Sequence, residues 1–265
     1  MAGKVVVGYL DDERGPDALA LGRILARARD AELGIVTVEA GNELASAVRE
    51  VGADLVVLGA THRGSVGQMA HAATMRGVLA RTGAAVAVAP RGFASRAEGT
   101  SDWQPLDGDT EDVGMRVIGV GFDGTPESRH ALGLATELAL RNGATLRVYS
   151  VCRKTIPIAS GAPMTPVPAA TNELEWRRAQ LQETVAALPS EVRPQPVLLK
   201  GFAADELIAA SRLGVDLIVV GTHVGGHLHR LVHKSVAGLV AEGAHCPVLI
   251  CPTSVAEPTP ALATA

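Results

Sequence analysis

An apolar octapeptide occurs twice in this chain. Gly52-Ala53-Asp54-Leu55-Val56-Val57-Leu58-Gly59 returns as Gly214-Val215-Asp216-Leu217-Ile218-Val219-Val220-Gly221, so Gly59 and Gly221 lie 162 residues apart. Two further segments keep the same order. Asn42-Glu43-Leu44 matches Asp205-Glu206-Leu207 with one residue inserted, and Ala85-Val86-Ala87-Val88 matches Pro247-Val248-Leu249-Ile250 without a gap. One short apolar run can recur by chance; three in the same order point to a duplicated unit. A chain of 265 residues has room for two small domains.

Each copy alternates strand-like and helix-like patterns. The second begins with an apolar run from Met115 to Phe122, followed by Asp123-Gly124. Thr125-Pro126-Glu127 then supplies a capping hydroxyl, a proline at the first helical position and an acid in the first turn. Ala131, Leu134, Ala135 and Leu138 share one helical face, and Asn142-Gly143 is a stop signal. Strands are expected at Thr145–Val151, Pro196–Lys200, Asp216–Gly221 and Pro247–Cys251, with helices from about Asn172 to Leu188 and from Ala203 to Leu213. A further helix should carry Leu228, Leu231, Val232, Val236 and Leu239. Strands that are apolar throughout, with helices between them, specify a parallel sheet covered on both faces. The first copy passes from Gly34–Val38 almost directly to Gly41-Asn42-Glu43-Leu44, so it lacks the helix and strand of residues 172–200. The expected fold is therefore α/β: two doubly wound, Rossmann-like parallel-sheet domains in tandem, the first with four strands and the second with five. Their bounds are 1–92 and 114–253. Residues 93–113, rich in Gly, Ser, Asp and Pro, read as a linker, and the Pro/Ala/Thr-rich residues 254–265 as a disordered tail.

Composition narrows the function classes. Aromatic residues make up only 3%, so the core is built from Ala, Val, Leu and Ile. With 24 Lys+Arg against 28 Asp+Glu, the net charge of −4 carries no nucleic-acid footprint. No run reaches the ~20 apolar residues of a membrane span. The N-terminus has no leader pattern, and Cys152, Cys246 and Cys251 are few and odd in number, so a soluble cytoplasmic protein is expected.

The order of motifs resembles the universal stress protein family over about residues 1–92 and 114–253. The segments that carry the resemblance are Val120-Gly121-Phe122-Asp123-Gly124-Thr125, Lys200-Gly201 with Asp205-Glu206-Leu207-Ile208, Asp216 to His223, and Ala244-His245-Cys246-Pro247-Val248-Leu249. The resemblance implies a stress-response binding or regulatory protein rather than an enzyme. In the ATP-binding branch a G-x2-G-x9-G-[ST] turn wraps the phosphates, because glycines admit backbone N–H groups to phosphate oxygens at a helix N-terminus. By that resemblance an adenine nucleotide such as ATP would meet Gly121, Asp123, Val151, Val220, Gly221, Val224, Gly225, Gly226, Lys234 and Ser235. Here Gly221 and Ser235 keep the pattern, while Val224 and Lys234 replace its second and third glycines. Gly225 and Gly226 offer a shifted turn, and Lys234 either crowds a phosphate or contacts it. Each lost buried hydrogen bond costs roughly 1–3 kcal/mol, which takes a micromolar site to about 0.1–1 mM or closes it. A weak nucleotide site and a nucleotide-free protein that works through partners both remain open. In the first copy His62, Ala72 and Ala73 replace Val224, Lys234 and Ser235, and Thr74 falls one residue late. That half is expected to be structural, with Asp11 or Asp12 in the place of Asp123. The resemblance also implies a pseudo-two-fold pair of halves joined through Ala85–Ala89 and Pro247–Cys251, with a homodimer of chains as a further possibility.

Other constellations are weaker. His223, His227, His229 and His233 cluster, with His229 and His233 at helical spacing for a metal, but no Cys or carboxylate joins them at ligand spacing, so no metal is expected. Asp123 reads as a ligand contact or turn former rather than a general base. The turn Asp123–Ser128 matches neither the H-x-G-H nor the S-G-G-x-D-S pattern of adenine-nucleotide-dependent enzymes, and no G-x4-G-K-[ST] loop is present. No catalytic residue is therefore assigned.

Overall fold

A computed structural model of the chain describes residues 3–37, 41–60, 74–75, 77–97, 115–153, 169–223 and 235–253. In the first half these residues form β1 (Lys4–Tyr9), α1 (Arg14–Arg29), β2 (Glu32–Thr37), α2 (Gly41–Val51), β3 (Leu55–Gly59), a helical stretch at 77–82, β4 (Ala85–Ala89) and α3 (Phe93–Ala97). The second half forms β5 (Val117–Gly121), α4 (Pro126–Asn142), β6 (Thr145–Cys152), α5 (Ala169–Ala186), β7 (Gln195–Lys200), α6 (Ala203–Ala210), β8 (Leu217–His223), α7 (Val236–Gly243) and β9 (Val248–Thr253).

The described strands build one sheet in the order β2-β1-β3-β4-β9-β8-β5-β6-β7. Every neighbouring pair is parallel except β4 and β9, which run antiparallel with Val86 opposite Ile250, Ala87 opposite Leu249 and Val88 opposite Val248. Outward from that seam the halves repeat one order: β4-β3-β1-β2 on one side, β9-β8-β5-β6 on the other, with β7 added beyond β6. The first half thus has four strands and the second five.

The all-apolar strands divide their side chains by the two-residue period. Val5, Val7, Leu55, Val57, Ile118, Val120, Leu217 and Val219 face α1 and α4. Val6, Val56, Val86, Ile218, Val220 and Ile250 face α2, α6 and α7. Both layers run unbroken across the seam, since Ala87 and Leu249 belong to one and Val88 and Val248 to the other.

Helix ends follow local chemistry. Thr125 caps α4, its Oγ1 accepting from Ser128 N–H at 3.3 Å, and Pro126 occupies the first turn. Gly143 closes the helix at φ 60°, its N–H reaching the Ala139 and Leu140 carbonyls. One part of the segment read as a linker is ordered: Phe93–Ala97 forms α3. The buried Asp17 of α1 fixes its start by accepting from Gly92 N–H and Ala94 N–H, both at 2.8 Å. Asp17 is a nonperiodic acid on a packed helix, and nothing near it in sequence reveals this partner.

Candidate functional site

The C-terminal ends of β5, β6 and β8 lie side by side, because β5 is the centre of that trio. This is where doubly wound sheets open a crevice for ligands. Phe122 N–H donates to Tyr149 O at 2.8 Å, holding the chain in line with β6 for one residue beyond the strand. Asp123 then turns out of the sheet. Gly124 follows at φ 86°, a left-handed conformation that suits glycine, and a Cβ there would lie 2.7 Å from the Gln180 amide of α5.

Asp123 is the best-defined polar group of the site. Thr125 N–H donates to its Oδ1 at 3.0 Å and Thr125 Oγ1–H to the same oxygen at 2.6 Å. Burial by itself would raise its pKa. The Thr125 hydroxyl and amide, Ser128 and the Arg177 guanidinium outweigh that, and the carboxyl sits below its ordinary value of 3.8. Both Thr125 bonds fall on one oxygen, Oδ1.

Arg177 arrives from α5, which crosses this end of the sheet. Its Nε–H donates to Glu173 Oε1 at 3.3 Å, one helical turn back, and its guanidinium lies 6.0 Å from the Trp176 ring centroid. Among the described residues its Nη1 is buried without a hydrogen-bond partner. A buried guanidinium N–H left unpaired is costly, and an acceptor or anion brought by a ligand would satisfy it. No motif in the sequence points to Arg177 or Gln180, whose place beside Asp123 and Gly124 depends on where α5 packs.

The remaining expected residues divide into three groups. Gly121 ends β5, where an added Cβ would lie 3.2 Å from Leu207, and half-buried Val151 borders the same crevice on β6. Val220 is 3% exposed and belongs to the core face of β8, behind the crevice. Gly221 and Ser235 have structural employment. A Cβ on Gly221 would overlap the Glu127 carbonyl and lie 2.9 Å from Ser128 N, so the first turn of α4 packs on that glycine. Ser235 caps α7, its Oγ accepting from Gly238 N–H at 3.1 Å. Val224, Gly225, Gly226 and Lys234 lie outside the described residues, as do His62, Ala72, Ala73, His227, His229 and His233. Among the described residues no group of His, Cys, Asp and Glu could hold a metal ion.

The first half resolves the choice between Asp11 and Asp12 against both. Val5 pairs with Leu55 as Ile118 pairs with Leu217, so β1 and β5 align 113 residues apart. Gly59 meets the carbonyl of Arg14 as Gly221 meets that of Glu127, again 113 apart. Leu10 therefore stands where Asp123 does. Asp12 takes the place of Thr125 and likewise serves the following turn, accepting from Arg14 N–H at 2.9 Å.

Cys152, Cys246 and Cys251 are all free and buried. Burial pushes the thiols of Cys246 and Cys251 up to about 12, which removes them as nucleophiles at neutral pH.

Comparison with known proteins fits this geometry. The profile of the universal stress protein family matches residues 114–252, the whole second half from before β5 into β9. The chain belongs to the universal stress protein family. Universal stress protein A homolog 1 of Coxiella burnetii is 36% identical over 136 residues, spanning 48% of this chain and 90% of that protein. A universal stress protein structure from Archaeoglobus fulgidus DSM 4304 superimposes with a TM-score of 0.54 at 14% identity, over 90% of this chain and 75% of that one. A functionally unknown protein of Pseudomonas aeruginosa PAO1 does so with a TM-score of 0.56 at 13% identity, over 95% and 92% of the two chains. At such identities these two structures speak to the fold. Among the described residues no helix is long and apolar enough to cross a membrane.

Proposed function

We propose that this universal stress protein is a stress-response binding protein, not an enzyme, with a weak adenine-nucleotide site, ATP being the expected ligand, at the C-terminal ends of β5, β6 and β8. The observation that carries the reading is the Asp123 carboxyl held below its ordinary pKa within electrostatic reach of Arg177, whose Nη1 is buried without a hydrogen-bond partner among the described residues. Asp123 Oδ2 would accept from the nucleoside, Arg177 would donate to it or to its phosphates, and Gly121 and Val151 would flank it. Gly225, Gly226, Lys234 and the Ser235-capped start of α7 are the expected phosphate contacts. In the same reading residues 1–92 are a second, shortened copy of the family domain, joined by the segment 93–113 to the copy at 114–253. The two form an intramolecular pseudo-dimer through β4 and β9, in the cytoplasm.

The test is to denature the purified protein, identify any released nucleotide by chromatography, and titrate the stripped protein with ATP calorimetrically. About one adenine nucleotide per chain, or a binding heat near ~0.1–1 mM that Asp123→Ala and Arg177→Ala each weaken about tenfold or more, supports the reading. Absence of both nucleotide and heat at millimolar ATP favours a second reading, a nucleotide-free protein acting through protein partners. That alternative draws on Gly221 and Ser235, whose retention is accounted for by helix packing and helix capping alone.

A further inference from the structure

The pseudo-two-fold relation of the halves creates two equivalent crevices, one on each side of the β4–β9 seam, and they have diverged. One lies between α4 and the start of β3. Leu134 and Glu137 face Asp54 across it, and its volume is about 160 Å³. Its charges are used up within the protein: Arg29 forms an ion pair with Asp54, and Arg141 Nη1–H donates to Arg29 O at 3.4 Å. The other lies between α1 and the start of β8, with Leu21 in the place of Leu134 and Asp216 in the place of Asp54. Its volume is about 440 Å³, within the ~300–1,000 Å³ range of ligand sites.

Two substitutions account for the difference. Ile24 replaces Glu137, which makes the helix wall apolar. Asn142 replaces Arg29, and its Nδ2–H is spent on Leu138 O at 2.7 Å, so no equivalent side chain reaches across to Asp216. Asp216 accepts from Arg116 N–H and Val117 N–H, both at 2.8 Å on Oδ2, as Asp54 accepts from Lys4 N–H at 3.0 Å, and so stays at the edge of the space. Phe93 of α3 and Met115 complete a greasy lining. Arg96 and Arg212 line it beside the Asp216 carboxylate and the His245 imidazole, so its cationic side chains outnumber its one carboxylate.

We infer that this larger cavity binds a small amphiphile with one carboxylate: a medium-length apolar chain against Leu21, Ile24, Phe93 and Met115, its carboxylate at Arg96 and Arg212. Apolar walls with one or two convergent charged donors are the usual make-up of such a pocket. The cavity adjoins the starts of β5 and β8, whereas Asp123 follows the end of β5, so the two sites lie at opposite ends of the same strands and the inference does not rest on nucleotide binding.

The experiment is competition against 1-anilinonaphthalene-8-sulfonate on the full chain, read by fluorescence, with decanoate, decanol and decyltrimethylammonium as competitors. Decanoate should displace the probe at concentrations where decyltrimethylammonium does not. Arg212→Glu, an exposed substitution, should weaken decanoate about tenfold while leaving decanol unchanged. Ile24→Trp should block both by filling the space, with an unaltered melting temperature as the check on folding. If Ile24→Trp does not fold, the Arg212→Glu comparison decides alone. Failure of decanoate to displace the probe, equal displacement by decyltrimethylammonium, or decanoate displacement indifferent to Arg212→Glu overturns the inference.

Discussion

Asp123 ties local chemistry to pH. Its carboxyl is held below 3.8 in the fold, so the ionised form is the one the native state favours. The stability this contributes is fully present above 3.8 and is lost as pH falls through the lower folded value. Asp123→Asn should therefore be less stable at pH 7 and should lose stability less steeply on acidification below 3.8, measured by urea unfolding across that range. An unchanged acid limb would show that the carboxylate is not coupled to the fold. The glycines make a second residue-level case. Gly59→Ala and Gly221→Ala should each cost about 1–3 kcal/mol or more, because a Cβ at either site overlaps a helix carbonyl. Equal penalties in both halves would separate packing from ligand binding, since only the second half keeps the carboxylate. The sequence revealed both glycines through the repeat, and for Gly221 it suggested phosphate contact. The reason for each is a strand pressed against the first turn of a helix, and this appears only once the helix is placed.

Helix boundaries written into neighbouring residues were legible. Thr125, Pro126 and Gly143 act within a few residues of themselves, and α4 begins and ends where they indicate. What depends on a helix returning from afar was not. Arg177 acts electrostatically on Asp123, and Gln180 meets Gly124, across more than fifty intervening residues, and α5 carries no motif that announces either. The alignment of the first turn failed for a related reason: Asp11 and Asp12 resemble Asp123 by type, yet strand pairing puts Leu10 there. At this scale Thr125→Ala is informative, because the hydroxyl both caps α4 and donates to Asp123. It should cost about 0.5–2 kcal/mol. It should also raise the Asp123 pKa, followed by carbon NMR of the carboxyl. Destabilisation with no change in that titration would mean the cap and the carboxylate act separately.

For the whole molecule the seam decides behaviour. Core layers continue through β4 and β9, so the halves should unfold together in one transition by circular dichroism and calorimetry alike. Ala87→Pro, placed where β4 pairs with both neighbours, should disrupt that coupling and split the transition in two. Two transitions in the unaltered protein would mean that the shared layers do not bind the halves into one unit. The four-strand and five-strand halves were readable from the missing segment in the repeat. The unequal crevices beside the seam were not, since they arise from residues that meet only when one half is laid against the other.

The join between β4 and β9 also bears on how the molecule can change over generations. When two identical chains meet edge to edge, every substitution appears twice, and a loss on one side is a loss on both. Here the meeting edges belong to one polypeptide, so each inherited change acts once. Leu10 can stand opposite Asp123, and Asn142 opposite Arg29, without compromise. With both edges on one polypeptide no self-matching is imposed, and its two sides are free to differ.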